Sequence, residues 1–123
     1  MTLDETRFAQ LADETLRRMM EAVDAQASDT LEADLRDGIL TIEIESGGQY
    51  IVNKHAPNRE IWVSSPKSGA WHFSYDEEKR SWVDTRGRGG EAPMTLHRLM
   101  ERELTDAAHT NVTLANAMPG DGA

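Results

Sequence analysis

The hydrophobic period of this chain changes twice, and that change limits its fold more than any other feature. Phe8, Leu11, Ala12, Leu16, Met19, Met20 and Val23 recur at three-to-four spacing. At 100° per residue they form one apolar stripe, which predicts a helix from about Leu3 to Gln26. Thr2 followed by Glu5 reads as its capping box. From Leu31 the period becomes two. Leu31, Ala33 and Leu35 alternate with Glu32, Asp34 and Arg36, and Leu40, Ile42 and Ile44 alternate with Thr41, Glu43 and Glu45. Between these runs Asp37-Gly38 is a strong hairpin signal. Further strands are expected at Tyr50 to Lys54, Glu60 to Ser64, Trp71 to Tyr75 and Ser81 to Asp84, separated by short turns rich in Gly, Pro, Asn and Ser. The helical period then returns in Leu96, Leu99, Met100, Leu104 and Ala107, with Pro93 expected in the first turn of a second helix.

Short links between strands favour an antiparallel meander. Two helices with one apolar stripe each must bury them against something. The expected fold is therefore α+β, a two-layer sandwich with both helices on one face of an antiparallel sheet of about six strands. The other face then meets solvent. A length of 123 residues fits a single domain spanning the whole chain, 1–123, with no second domain. Val112, Leu114 and Ala115 are expected to dock in a groove, and residues 117–123 to fray.

The chain carries a formal net charge of −9, and the charge is unevenly placed. Residues 1–45 hold 12 acids and 4 bases, whereas residues 46–123 hold 10 acids and 9 bases. An acidic end on a nearly neutral body suggests a cation or a basic partner. It argues against nucleic acid and anionic membrane, which require a basic surface. Apolar runs are too short to span a bilayer. The absence of cysteine excludes a thiolate nucleophile, a cysteine zinc site, a thiolate-held cluster and a disulfide frame. The four histidines show no HExxH spacing.

Other patterns point to ordinary roles. Arg86-Gly87-Arg88-Gly89-Gly90 resembles an RGG contact, but in an acidic chain it reads as a loop. His97 and Glu101 read as a surface pair, and Ser64-Ser65-Pro66 as a strand end and turn. Alternation in Glu60 to Ser64 turns Ile61 and Val63 inward and exposes Trp62, as an interface anchor or as a ring lying flat on its neighbours. Asn53 falls on the same outer face.

A long stretch resembles the signature of the frataxin family, whose bacterial members are called CyaY. It comprises Tyr50-Ile51-Val52-Asn53-Lys54, Pro57-Asn58, Ile61-Trp62-Val63-Ser64-Ser65-Pro66 and Ser68-Gly69. The likeness extends to Leu11-Ala12-Asp13-Glu14-Thr15-Leu16 in the first helix, to Gly38-Ile39-Leu40-Thr41-Ile42, and to Thr95-Leu96-His97 and Glu103-Leu104 in the second. The second helix and tail are more similar to mitochondrial members than to the shorter enterobacterial ones. The resemblance implies a sandwich of two helices on an antiparallel sheet. It also implies an accessory protein of iron–sulfur cluster assembly that binds the cysteine desulfurase and the scaffold protein, modulates sulfur transfer, donates iron, or both.

The implied iron site (Fe2+ or Fe3+, with other divalent cations as competitors) is an acidic ridge. It carries over onto Asp4, Glu5, Asp13, Glu14, Glu21, Asp24, Glu32 and Asp34. Hard oxygen ligands alone give a weak, unselective site. Arg17 departs from the acid found there in many members, and Arg17 and Arg18 can pair with the ridge at four-residue spacing. The implied partner surface is Asn53, Glu60, Trp62 and His72. Glu60 replaces a family glutamine, His55 replaces another, and His72 stands where eukaryotic relatives carry arginine. Two alternatives stay open: a ferroxidase enzyme acting on ferrous iron, and an acidic protein-binding regulator with no metal role. The expected state is a monomer, with iron-dependent oligomers as the alternative. Met1 directly before the helix suggests a bacterial cytoplasmic protein, and a mature mitochondrial matrix form would read the same way.

Overall fold

The structure is a computed structural model, and it describes residues 4–87 and 93–114. The elements run α1 (Glu5–Ala27), β1 (Leu31–Arg36), β2 (Ile39–Ile44), β3 (Gln49–His55), β4 (Glu60–Ser65), β5 (Gly69–Asp76), β6 (Ser81–Asp84) and α2 (Leu96–Ala108). The strands form one antiparallel sheet in chain order, β1-β2-β3-β4-β5-β6. The expected α+β meander, with both helices on one face, is what forms.

The β1–β2 hairpin shows why the register is firm. Asp37 (φ 51°) and Gly38 (φ 77°) both take positive φ. This is the backbone of a two-residue turn whose twist matches the strands it joins. Residues equidistant from the turn then face one another, from Arg36 opposite Ile39 to Leu31 opposite Ile44.

Side chains on the inner face close the core. Leu40, Ile42, Tyr50, Val52, Ile61, Val63, Phe73 and Trp82 are all buried, beneath Phe8, Leu16, Met19 and Val23 of α1 and Leu96, Leu99 and Leu104 of α2. Trp82 meets Phe8 edge-on at 6.0 Å and Tyr75 at 5.2 Å. Its indole N–H donates to Thr15 Oγ1 at 3.0 Å, and Thr15 donates in turn to the Leu11 carbonyl at 2.7 Å. A threonine in the buried stripe of a helix is explained by that bond, because a buried indole N–H needs an acceptor.

Helix ends differ from expectation in two places. Asp4, not Thr2, caps α1: its backbone is extended and its carboxylate accepts the Arg7 N–H at 2.8 Å. Thr2 lies outside the described residues. Asp4 is thereby the cap, and Glu5 begins the first turn, where the helix dipole favours an acid. Pro93 precedes α2 instead of opening it. Thr95 is the cap, because Met94 and Thr95 first run alongside β6: the Asp84 N–H reaches the Met94 carbonyl at 2.9 Å and Val83 bridges to Thr95. The part of the glycine-rich loop at 88–92 lies outside the described residues, as do Ala115 and the tail expected to fray.

The segment after α2 docks as its apolar residues suggested. Val112 and Leu114 are buried. Gln26 of α1 clamps the Thr113 backbone, accepting its N–H at 2.9 Å and donating to its carbonyl at 2.8 Å. Glu101 and Thr105 of α2 accept the Leu114 and Val112 N–H groups at 2.6 and 2.9 Å. Glu101, expected as a surface partner of His97, thus holds this segment in place.

The serines of Ser64-Ser65-Pro66 have a role beyond the turn. Glu103 of α2 is 3% exposed. Its carboxyl accepts hydrogen bonds from the hydroxyls of Tyr50 (2.9 Å), Ser65 (2.6 Å) and Ser68 (2.5 Å). Ser65 Oγ also accepts the backbone N–H groups of Lys67 and Ser68, and Ser68 Oγ accepts the Trp71 indole N–H. One buried carboxyl therefore ties α2 to β3 and to the β4–β5 turn.

Two outcomes follow. Glu103→Ala strands three hydroxyls and should cost roughly 2–4 kcal/mol in denaturant unfolding. Burial, and then the adjacent Glu103, push the Tyr50 hydroxyl above its ordinary value. A raised folded value gives stability that is complete below the unfolded value of about 10 and is lost as pH rises through the folded one. Unfolding free energy should therefore fall above about pH 10, and Tyr50→Phe should flatten that alkaline limb.

Candidate functional site

The expected site residues occupy two regions: the edge formed by α1 and β1, and the open sheet face centred on β3 to β5.

On the edge, charge is largely answered from within the chain. Asp13 accepts from Lys54 Nζ at 2.9 Å, Glu14 pairs with Arg18 at 2.5 Å, and Glu21 with Arg17 at 3.3 Å. Asp34 pairs with Arg36 at 3.0 Å, and Asp4 is engaged as the helix cap. That leaves Glu5, Asp24 and Glu32 as the ridge acids with neither an ion pair nor a capping role among the described residues. The helix acids also stand far apart. From Asp4 to Asp24 the helix rises about 30 Å, so they cannot all share one ion.

The strand acids are separated from the helix acids by the strand itself. β1 turns Leu31, Ala33 and Leu35 toward α1, and Glu32 and Asp34 the other way, with both acids exposed. The ridge therefore wraps around an edge strand and does not form one plane. Among the described residues, no three carboxylates or imidazoles converge as a preformed metal site. The donor set fits a hard cation held loosely by one or two carboxylates and water.

Three acids, Asp29, Glu43 and Glu45, were not expected as site residues. Glu43 lies directly opposite Glu32, and both are exposed. Like charges in that position repel. With Asp29 and Glu45 they line a shallow cleft of about 300 Å³ at the far end of the hairpin. The signal for this pair was in the sequence: a two-residue Asp-Gly turn fixes which residues face each other, and 32 and 43 are equidistant from it. Lys54 was also missed as a ridge residue. It lies in the signature strand, far from the acids in sequence, and only the folding of β3 beneath α1 brings its ammonium to Asp13.

On the sheet face, register draws a line of side chains across four strands: Ile39 opposite Asn53, Asn53 opposite Trp62, and Trp62 opposite His72. The three expected contacts Asn53, Trp62 and His72 are thus immediate neighbours. Glu60 joins them by accepting the Trp62 indole N–H at 2.7 Å. Ile39, 42% exposed, is the one large apolar side chain exposed among the described residues, and it continues the line toward β1. Of the two readings of Trp62, the ring packed on its neighbours is the one that forms. It is half-buried, with His55 stacked at 3.5 Å and His72 at 4.3 Å between ring centroids. Aromatic side chains on adjacent strands cover its faces and leave its edge to solvent and to Glu60.

No helix among the described residues is long and apolar enough to cross a membrane. The profile of the frataxin-like domain matches residues 1–110. Mitochondrial frataxin of Arabidopsis thaliana is 32% identical over 117 residues, covering 92% of this chain, and the chain spans only 60% of that protein's length. The iron-sulfur cluster assembly protein CyaY of Cupriavidus metallidurans is 40% identical over 105 residues, covering 82% of this chain and 90% of its own. Among solved structures, trimeric frataxin from the yeast Saccharomyces cerevisiae, complexed with ferrous iron, is 27% identical with a TM-score of 0.64, over 89% of this chain and 90% of that one. The six-stranded meander under two helices, the signature residues on β3 and β4 and a profile spanning most of the sequence agree: the chain belongs to the frataxin family.

Proposed function

We propose that this chain is a non-enzymatic accessory protein of iron–sulfur cluster assembly. It docks on the cysteine desulfurase and its scaffold through the outer sheet face, with Asn53, Glu60, Trp62 and His72 at the centre of the contact. The acidic edge presents Asp4, Glu5, Asp13, Glu14, Glu21, Asp24, Glu32 and Asp34 to a basic partner surface and to iron, which is carried as cargo. The bacterial relative supports a bacterial cytoplasmic role, and the mitochondrial relative supports the alternative, a mature mitochondrial matrix form.

The observation that carries this reading is the unbroken line Ile39–Asn53–Trp62–His72 on a sheet face that no helix covers. A polar amide, a large aromatic edge and an exposed aliphatic group in one row are the elements of an interface centre. Relatives named for iron–sulfur cluster assembly supply the pathway, and the yeast relative complexed with ferrous iron supports iron as cargo. That relative is also trimeric, which supports the alternative, an iron-dependent oligomer, over the expected monomer.

The ion pairs within the edge favour a second reading, in which the same acids hold only a basic protein partner. Binding a cation at Asp13, Glu14 or Glu21 means displacing Lys54, Arg18 or Arg17, each held at 3.3 Å or less. Such exposed pairs are worth about 1 kcal/mol or less each, so they weaken a cation site without closing it.

Three measurements decide between these readings. In a reconstituted sulfur-transfer assay, Trp62→Ala should abolish the effect of this protein on cluster assembly while leaving its fold intact; an unchanged effect would remove the sheet face from the docking surface. Anaerobic ferrous iron should shift the amide signals of Asp13, Glu14, Glu21 and Asp24 in fast exchange. Signals that stay still, or that move identically with magnesium and calcium, would leave the protein-only reading. If the internal pairs compete with iron, Arg17→Gln should tighten ferrous binding by about two- to five-fold, the equivalent of up to about 1 kcal/mol.

A further inference from the structure

Three aromatic rings from three neighbouring strands lie in one pile on the outer face. His55 of β3 stacks on Trp62 of β4 at 3.5 Å and 10° from parallel. His72 of β5 stacks on the same indole at 4.3 Å and 12°. Two imidazoles cannot share one side of an indole at those distances, so they cover opposite sides. Register enforces the arrangement: His72 is the direct partner of Trp62, and His55 is two residues beyond its other partner, Asn53. Nδ1 of His55 is buried with no hydrogen-bond partner among the described residues, so stacking holds this ring, not a bond at that atom.

The charged surroundings of the pile are few. From β4, Glu60 holds the indole N–H at 2.7 Å and faces His55 across the ladder. From the segment after β6, the Arg86 guanidinium lies 3.4 Å from His72 Nδ1. Arg59 stands in the β3–β4 turn beside Glu60. Among the described residues, the other side chains facing the rings are neutral: Asn53 on β3, Ser74 on β5 and Val83 on β6. Lys54 is turned to the opposite face, against Asp13, and Arg36, at the far end of the line, is paired with Asp34.

We propose that the His55–Trp62–His72 pile is a proton-responsive element of the sheet face, which stays stacked on acidification while the face becomes positive. Imidazole is the side chain that changes charge between about pH 5 and 8. An imidazolium lying on an indole is held by the ring's negative face, an attraction of about 0.5–2 kcal/mol. Glu60 at the indole edge adds an opposite charge, whereas Arg86 and the second imidazolium oppose it. Protonation therefore exchanges one stacking attraction for another at the indole, and the pile survives, while His72 gives up the Arg86 hydrogen bond because a protonated Nδ1 no longer accepts. Its charge does not: a face carrying Glu60 and Arg86 gains up to two positive charges. Acidic side chains of a docking partner would be held more tightly as pH falls. That consequence rests on the docking reading, but the pile and its response do not.

The test uses the isolated protein. An imidazolium on the ring face quenches indole emission by accepting an electron from the excited ring. Tryptophan emission is therefore expected to fall on acidification while circular dichroism holds constant. The fall should shrink in His55→Gln and in His72→Gln and disappear in Trp62→Phe, which retains Trp71 and Trp82. Proton NMR adds a readout independent of quenching. The ring signals of His55 and His72 should lie upfield through the indole ring current and move downfield in Trp62→Ala, with those of His97 and His109 unmoved. Emission independent of pH in the folded protein, or an equal fall in Trp62→Phe or in the His55→Gln/His72→Gln double variant, would overturn the proposal. So would histidine signals that Trp62→Ala leaves in place. Neither experiment involves a partner, so failure of docking by Trp62→Ala in the sulfur-transfer assay is a separate result.

Discussion

A sheet covered by helices on one side only must keep its two faces distinct along every strand, and everything else in this molecule depends on that. Each strand alternates, and a slip of one residue would turn Leu40, Ile42, Val52 and Ile61 outward and carry Glu43, Asn53 and Trp62 into the core. Tight turns prevent the slip, beginning with the positive-φ pair Asp37-Gly38. The inner face becomes the core, and the outer face keeps the polar and aromatic side chains a partner can meet. Core and proposed docking surface are thus divided between alternate positions of the same strands.

The core depends on polar bonds as well as apolar contact. Trp82 and Thr15 join β6 to α1, and Glu103 joins α2 to β3 and the β4–β5 turn. Both place a polar group at the inner face, where an unmet donor would be costly. The Ser65-Pro66-Lys67-Ser68 turn has its form because its hydroxyls converge on that carboxyl. A signature segment so close to the proposed docking face therefore serves the fold through these bonds.

Electrostatically the molecule is more restrained than a net charge of −9 suggests. Most of the ridge acids are held by a nearby cation or a helix end. What remains is an edge with moderate negative potential, suited to transient contact with cations or basic surfaces, not to a fixed metal centre. The proposed docking face, by contrast, is nearly balanced, with its aromatic pile next to one acid and one arginine. On the two proposals made for them, the surfaces would answer different variables: ionic strength and metal at the edge, acidification on the face.

Much of this was legible in the amino-acid order. Period and turn chemistry gave the element sequence, the antiparallel meander and the inner and outer sets, because they are local properties of neighbouring residues. Helix spacing foretold the pairing of Arg17 with Glu21 and of Arg18 with Glu14, and the Asp-Gly turn implied that Glu32 faces Glu43. Tertiary structure alone decided which distant groups meet: Lys54 with Asp13, Glu103 with two serines and a tyrosine, Trp82 with Thr15, and His55 and His72 with Trp62. Each of these contacts joins residues on separate elements. Alternation can say that a side chain points outward, but only the assembled sheet sets what lies beside it.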